Sequence, residues 1–225
     1  MEIEERIPKL FIRIWLGDNP MPNKFEEWWI GFKKLHPDYS FMTIKNEVGF
    51  QMSKELEDIY WKLGSYSSQS NVLRLLALYK FGGIYMDTDM KPLKPFDHLL
   101  EESTPFIGMR STKSFATGVI GAPKKHPAVK HLIDKLPERY STHGDSSVVF
   151  GPGYVSAEWF GRKDIRHLPV KTFYLYDGFK APKREERDRL MEEGDFPKEM
   201  LAVHYGNHVW GGKPKRKTYE NRNDI

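Results

Sequence analysis

The chain has 225 residues, enough for one domain with a sizeable core. Its 35 Lys and Arg exceed its 31 Asp and Glu by only four, which is weak evidence for a polyanionic partner. It has no cysteine, which excludes a disulfide framework and a thiolate zinc site and fits a reducing compartment. Aromatic residues make up 14% of the chain and include six Trp; such residues suit sugar and base stacking but more often fill a core.

In chain order, Ile7 to Gly17 follows an acidic, polar start and reads as a first buried strand. Asp18 to Pro22 is a loop. Phe25, Trp28, Trp29, Phe32 and Leu35 recur at helical spacing, so a helix over 25–35 should turn these aromatics into the core. His36 to Tyr39 is a turn, Ser40 to Ile44 a second strand, and Lys54 to Leu63 a second helix. Strand, helix, strand in this order implies a parallel α/β sheet.

The most informative stretch is Ser70 to Met90. Ser68 or Ser70 can cap a helix by accepting an orphan N–H of its first turn. Val72, Leu73, Leu75, Leu76, Leu78 and Tyr79 make that helix apolar over most of its circumference, hence largely buried. Asn71 and Arg74 are its polar exceptions and, three apart, share a face. Gly82 suits a left-handed cap, and Ile84-Tyr85-Met86 reads as a short buried strand. Asp87-Thr88-Asp89 closes it; carboxylates two apart on an extended chain point to one side, roughly 7 Å apart at about 3.3 Å per residue. An isolated Asp-x-Asp is usually a solvated turn. At the end of a buried strand, however, two like charges are costly unless a cation offsets them.

Further on, Lys91 to Pro95 is a turn and Phe96 to Leu100 is helical. Pro105 to Met109 and Phe115 to Ala122 are strands, the second rich in small residues where backbone approaches something closely. His126 is a surface turn residue before a helix over 128–136. Gly151-Pro152-Gly153 suits a tight loop presenting backbone N–H groups, or an ordinary turn before a helix, with Asp145 the nearest carboxylate upstream. Ile165 to Leu175 is extended, and Lys183 to Glu199 is a charged, solvated helix or a lid. A strand from Met200 delivers His204, with Trp210 six residues later. The tail over 213–225 carries Lys213, Lys215, Arg216 and Lys217 and reads as a flexible, solubilising end; a contact with a phosphate-rich acceptor or a membrane surface is its other reading.

The central run resembles the DXD glycosyltransferases of family 32, which include yeast initiating α-mannosyltransferases and bacterial capsule enzymes, and is similar to the clostridial glucosylating toxins. Their pattern, (A/S)-S-D-x-x-R, a helix, then G-G-x-Y-x-D-x-D, is met by Ser70-Asn71 with Arg74 and by Gly82-Gly83-Ile84-Tyr85-Met86-Asp87-Thr88-Asp89. Asn71 stands where the family has Asp. The opening Ile7-Pro8-Lys9 with Trp15 and Gly17 is a looser match, with Arg13 close to an expected His. The Val203-His204 to Trp210 segment resembles the C-terminal motifs of families 32 and 8.

The resemblance implies a single GT-A (Rossmann-like) domain over 1–212, α/β in class, with a mixed, mainly parallel sheet flanked by helices. It implies Mn²⁺, with Mg²⁺ as the alternative, held by Asp87, Asp89 and His204, with Asn207 and His208 as weaker candidates. Trp15, Leu16, Gly17, Ser70, Asn71, Arg74, Asp87, Thr88 and Trp210 would bind the donor nucleotide. Asp87, Asp89, Asn71 and Arg74 would carry catalysis, with Gly151 and Asp145 as outlying site candidates. The implied reaction is metal-dependent, retaining transfer of a hexose from a UDP-sugar or GDP-mannose to a glycan hydroxyl, in polysaccharide biosynthesis. Two alternatives stand beside it: the same chemistry on a nucleic-acid or protein hydroxyl, and a non-catalytic nucleotide-sugar binding module. Eukaryotic relatives are often anchored in the Golgi. This sequence has no signal-peptide pattern and no apolar run of about 18 residues, so a cytoplasmic, bacterial or viral setting is expected.

Overall fold

The computed structural model of the chain describes residues 6–144, 150–175 and 183–206. Six strands form its main sheet: β1 (Leu10–Ile14), β2 (Ser40–Ile44), β3 (Gly83–Met86), β5 (Phe106–Ser111), β6 (Ser114–Ala122) and β7 (Arg166–Leu168). Their order is β2-β1-β3-β6-β5-β7, and only β6 runs antiparallel to its neighbours. This is the mixed, mainly parallel sheet that the sequence predicts. A second, two-stranded antiparallel sheet joins β4 (Met90–Pro92) to β8 (Ala202–His204).

The helices are α1 (Asn23–Leu35), α2 (Lys54–Lys62), α3 (Tyr66–Phe81), α4 (Pro127–His143), α5 (Pro152–Trp159) and α6 (Arg184–Glu193). Alternation along β1 divides the core between the two faces of the sheet. Phe11 packs with Phe32, Tyr39 and Phe96 on the α1 side, while Ile12 and Ile14 pack with the apolar residues of α3. A third cluster joins Phe25 and Trp28 of α1 to Met191 of α6 and to Val203 and Tyr205. The predicted core aromatics of α1 are all buried.

Four local expectations are corrected. The central helix starts before Ser68: Ser65 is its cap, and Ser65 Oγ accepts the Ser68 N–H at 3.0 Å. Ser68, Gln69 and Ser70 are buried inside the helix, so their polarity does not mark its end. α4 continues through Pro137 to His143, and His126 is its cap, with Nδ1 accepting the Ala128 N–H at 3.2 Å. Part of the predicted turn at Lys91–Pro95 is strand β4, formed because β8 pairs with it from far along the chain. The extended stretch predicted over 165–175 holds only β7 before a 3₁₀ turn at Val170–Thr172.

Candidate active site

The site is built at the end of β3. Residues two apart on a strand share a face, so Asp87 continues the line of Tyr85, which faces α3. The Asp87 N–H donates to the Gly118 carbonyl at 2.8 Å and extends the β3–β6 ladder by one residue. The Tyr85 hydroxyl donates to Asp87 Oδ1 at 2.7 Å. From α3, Arg74 Nη1 donates to the Thr117 carbonyl at 2.6 Å, and Nη2 donates to the Tyr85 hydroxyl at 3.2 Å and to Asp87 Oδ1 at 3.3 Å. The guanidinium also lies 4.4 Å from the Tyr85 ring centroid. Oδ1 is thereby tied to α3 and β3, and Oδ2 is left for the far side.

His204 closes that far side. It stands opposite Met90 in the β4–β8 pair, its N–H donates to the Phe173 carbonyl at 2.9 Å, and the next N–H, of Tyr205, donates to the Asp89 carbonyl at 3.0 Å. These bonds set His204 Nε2 at 3.1 Å from Asp89 Oδ1 and 3.5 Å from Asp87 Oδ2. One ligand atom from each of Asp87, Asp89 and His204 can be chosen so that all lie within 4.8 Å of one another. The three side chains are 19%, 10% and 23% exposed, which leaves an opening to solvent.

The electrostatics favour positive charge here. Burial alone would raise the Asp87 carboxyl, but the Arg74 guanidinium and His204 hold it at about 2. Burial alone would lower the His204 imidazole, but Asp89 and the hydrogen bonds to both carboxylates push it up to about 10. A field that so stabilises an imidazolium also suits a divalent cation, and two carboxylates with one imidazole are a fitting donor set for it.

The other predicted residues fall in several places. Ser70, Asn71 and Arg74 lie buried on α3, and Thr88 is buried between the two aspartates. Leu16 is in the core, and Gly17, at φ +86°, lies so close to Tyr66 that an added Cβ would meet its ring at 2.7 Å. Trp15 packs on the third cluster with Val203 and Tyr205, the neighbours of His204, and its Nε1 donates to the Asn19 carbonyl at 2.8 Å. Gly151 precedes α5, whose Ser156 Oγ accepts the Phe115 N–H at 2.8 Å; no contact ties Gly151 to the triad among the described residues. Asp145, Asn207, His208, Trp210 and the 213–225 tail lie outside the described residues. Arg13 is a buried structural cation, paired with Glu26 at 2.7 Å and lying 4.4 Å from the Trp29 ring centroid. Sequence reasoning missed Tyr85 as a site residue. Its period-two relation to Asp87 was the available signal.

A family model described as "glycosyltransferase sugar-binding region containing DXD motif" matches residues 22–105. Inositol phosphoceramide mannosyltransferase 3 of Schizosaccharomyces pombe is 29% identical over 76% of this chain and 51% of its own length. Human alpha-1,4-N-acetylglucosaminyltransferase is 26% identical over 60% of this chain and 40% of its own. The chain thus spans about half the length of the curated relatives it matches, 51% and 56% for two from S. pombe. Among solved structures, the PaToxG glycosyltransferase superposes with a TM-score of 0.57 at 19% identity, covering 69% of this chain and 70% of that one. The apo-form glycosyltransferase GlyE of Streptococcus pneumoniae superposes with 0.52 at 12% identity, covering 93% of this chain and 58% of that one. Both structural likenesses bear on the fold alone, and that fold is GT-A.

Fold, site and matches together make the chain similar to the DXD-motif glycosyltransferases, and the likeness fits family 32.

The expected cytoplasmic, bacterial or viral setting is corrected by the relatives. Several, from two yeasts, are named for inositol phosphoceramide or mannosyl phosphorylinositol ceramide, and ceramide is a membrane lipid. Among the described residues, no helix is long and apolar enough to cross a membrane.

Proposed function

We propose that the chain, read as one catalytic domain over 1–212, transfers a hexose from a nucleotide diphosphate sugar to a hydroxyl group. The observation that carries this reading is the convergence of Asp87, Asp89 and His204 within 4.8 Å at the end of β3, beside Arg74. These three side chains would hold Mn²⁺, with Mg²⁺ as the alternative. When bound, the cation supplies Lewis acidity that offsets charge on a departing diphosphate. Arg74 adds a fixed positive charge beside the same point, held by Thr117, Tyr85 and Asp87. Asn71, sharing the Arg74 face of α3, would hold donor-sugar hydroxyls as a neutral donor and acceptor. Trp15 to Gly17 would lie toward the nucleotide base.

The relatives' names support mannose as the sugar and a glycan or inositol-phosphate headgroup hydroxyl as the acceptor. The match to an N-acetylglucosaminyltransferase supports a UDP-sugar as the second donor to try. Among the described residues, every carboxylate at the triad is taken up by Arg74, Tyr85 or His204. This supports retention by front-face attack, with the donor phosphate taking the acceptor's proton.

The test is nucleotide release from GDP-mannose and UDP-sugars, one at a time, with Mn²⁺ or EDTA, beside Asp89→Ala. Mn²⁺-dependent release lost in the variant is expected. A wild-type chain that shows neither release nor metal-dependent nucleotide binding refutes the proposal.

A further inference from the structure

Tyr174 lies where no sequence motif points. Its ring stands edge-on to His204, with centroids 5.5 Å apart and planes at 80°. Two glycines make room for it. A Cβ on Gly108 of β5 would come 3.2 Å from Tyr174 Cε2, and a Cβ on Gly118 of β6 would come 2.9 Å from the Tyr174 hydroxyl. The same point above Gly118 is 3.2 Å from Asp87 Oδ2. The phenol oxygen and Asp87 Oδ2, the oxygen that faces His204 at 3.5 Å, thus border the same space above Gly118, and Tyr174 is 8% exposed. Among the described residues the hydroxyl closes no hydrogen bond; the Gly118 N–H approaches its oxygen, yet its own proton has no acceptor.

A buried hydroxyl without an acceptor costs stability. A chain that clears two adjacent strands to seat one invites the question of what accepts its proton. A tyrosine hydroxyl ordinarily ionises only near about pH 10, so at neutral pH it is a donor. The carboxylates are already committed: Asp87 Oδ1 to Tyr85 and Arg74, and Asp87 Oδ2 and Asp89 Oδ1 to His204. The acceptor is then an oxygen that arrives with the ligand.

We propose that Tyr174 is a ligand-binding and positioning residue of this site: its ring fixes the plane of His204, and its hydroxyl donates to a diphosphate oxygen of the metal-bound nucleotide. This rests on the proposed function and adds a residue to it. It resembles other functional sites in that stability is given up for binding.

The experiment uses the full chain, Tyr174→Phe and Tyr174→Leu. Calorimetric titration would measure Mn²⁺ alone, then UDP and GDP in saturating Mn²⁺, and thermal unfolding would be followed in EDTA. Tyr174→Phe should bind Mn²⁺ as the wild type does, bind the nucleotide about tenfold more weakly, and melt about 2–4 °C higher because an unpaired buried hydroxyl is gone. A purely structural tyrosine would shift the melting point the other way and leave nucleotide affinity alone; that result refutes the proposal. Tyr174→Leu, which removes the wall beside His204, should also weaken Mn²⁺ alone, and unchanged Mn²⁺ affinity would refute the positioning role. Wild-type protein that binds no nucleotide with Mn²⁺ overturns the proposed function itself, whereas wild-type binding with an unaltered Tyr174→Phe refutes only the role of Tyr174.

Discussion

Replacing Tyr85 by Phe removes one oxygen from the network that aims Asp87. The phenylalanine ring keeps the packing of β3 and the stack beneath Arg74, which lies 4.4 Å from the ring centroid. What is lost is the 2.7 Å hydrogen bond to Asp87 Oδ1 and an acceptor for Arg74 Nη2 at 3.2 Å. Arg74 Nη2 keeps Asp87 at 3.3 Å, and Nη1 keeps the Thr117 carbonyl, so neither charge is orphaned. A hydrogen bond to a charged group is worth about 1.5–3 kcal/mol, and about 2 kcal/mol is expected here because the ion pair survives. In a domain of this size that lowers the melting temperature by about 4–8 °C. Thermal unfolding in EDTA measures this, and a Mn²⁺ titration measures the second consequence. With Oδ1 held by one donor, the carboxylate turns more freely, and Mn²⁺ affinity should fall about tenfold. A variant that melts within about 1 °C of the wild type and binds Mn²⁺ equally well would refute the claim that Tyr85 aims Asp87.

Gly118→Ala should leave the fold in place, since its φ is ordinary, yet put a methyl 2.9 Å from the Tyr174 hydroxyl and 3.2 Å from Asp87 Oδ2; Mn²⁺-dependent nucleotide binding should drop at least tenfold with near-native circular dichroism, and unchanged binding would show that the crowding is relieved elsewhere. Ser65→Ala removes the acceptor of the Ser68 N–H and should cost about 1 kcal/mol in urea unfolding, whereas Ser70→Ala, inside the helix, should not lower stability. His36 is buried with both ring nitrogens engaged: Nδ1 donates to the Phe32 carbonyl at 2.9 Å and Nε2 accepts the Phe96 N–H at 2.8 Å. Burial lowers its pKa below the ordinary 6.5, although the Phe32 carbonyl and the nearby Asp97 and Asp38 pull the other way. The unfolded chain therefore takes the proton first, so this stability is whole above pH 6.5 and is lost as pH falls through the folded value, at up to about 1.4 kcal/mol per pH unit. Urea midpoints between pH 8 and 5 should fall more steeply for the wild type than for His36→Gln, and equal slopes would refute the neutral-histidine assignment.

Most of the main sheet was legible because its strands follow one another with local signals. β1, β2 and β3 are short apolar runs bounded by Pro, Gly or turn residues, and the aromatics of α1 repeat at helical spacing. Asp87 and Asp89 were legible for the same reason: they are adjacent, and the buried run before them makes their charge conspicuous. His204 needed more. Its place beside the aspartates depends on β4 and β8 pairing across more than a hundred residues, and neither three-residue strand carries a period of its own. The resemblance to known C-terminal motifs identified it where periodicity had nothing to offer. Tyr85 was hidden by its own apolarity, since a tyrosine between Ile84 and Met86 reads as core, and it is indeed fully buried.

Tyr174 marks the limit of such reading. Its neighbours Phe173 and Leu175 suggest only an extended apolar stretch, and the glycines that seat its ring lie on two other strands. What a sequence shows well is a group whose cost is visible beside it, as two carboxylates on a buried strand are. It does not show a group whose cost appears only after folding, when a hydroxyl is enclosed and its acceptor has yet to arrive. Sites assembled by long-range pairing are therefore read from their charged members first, and the neutral donors that complete them emerge from the packing.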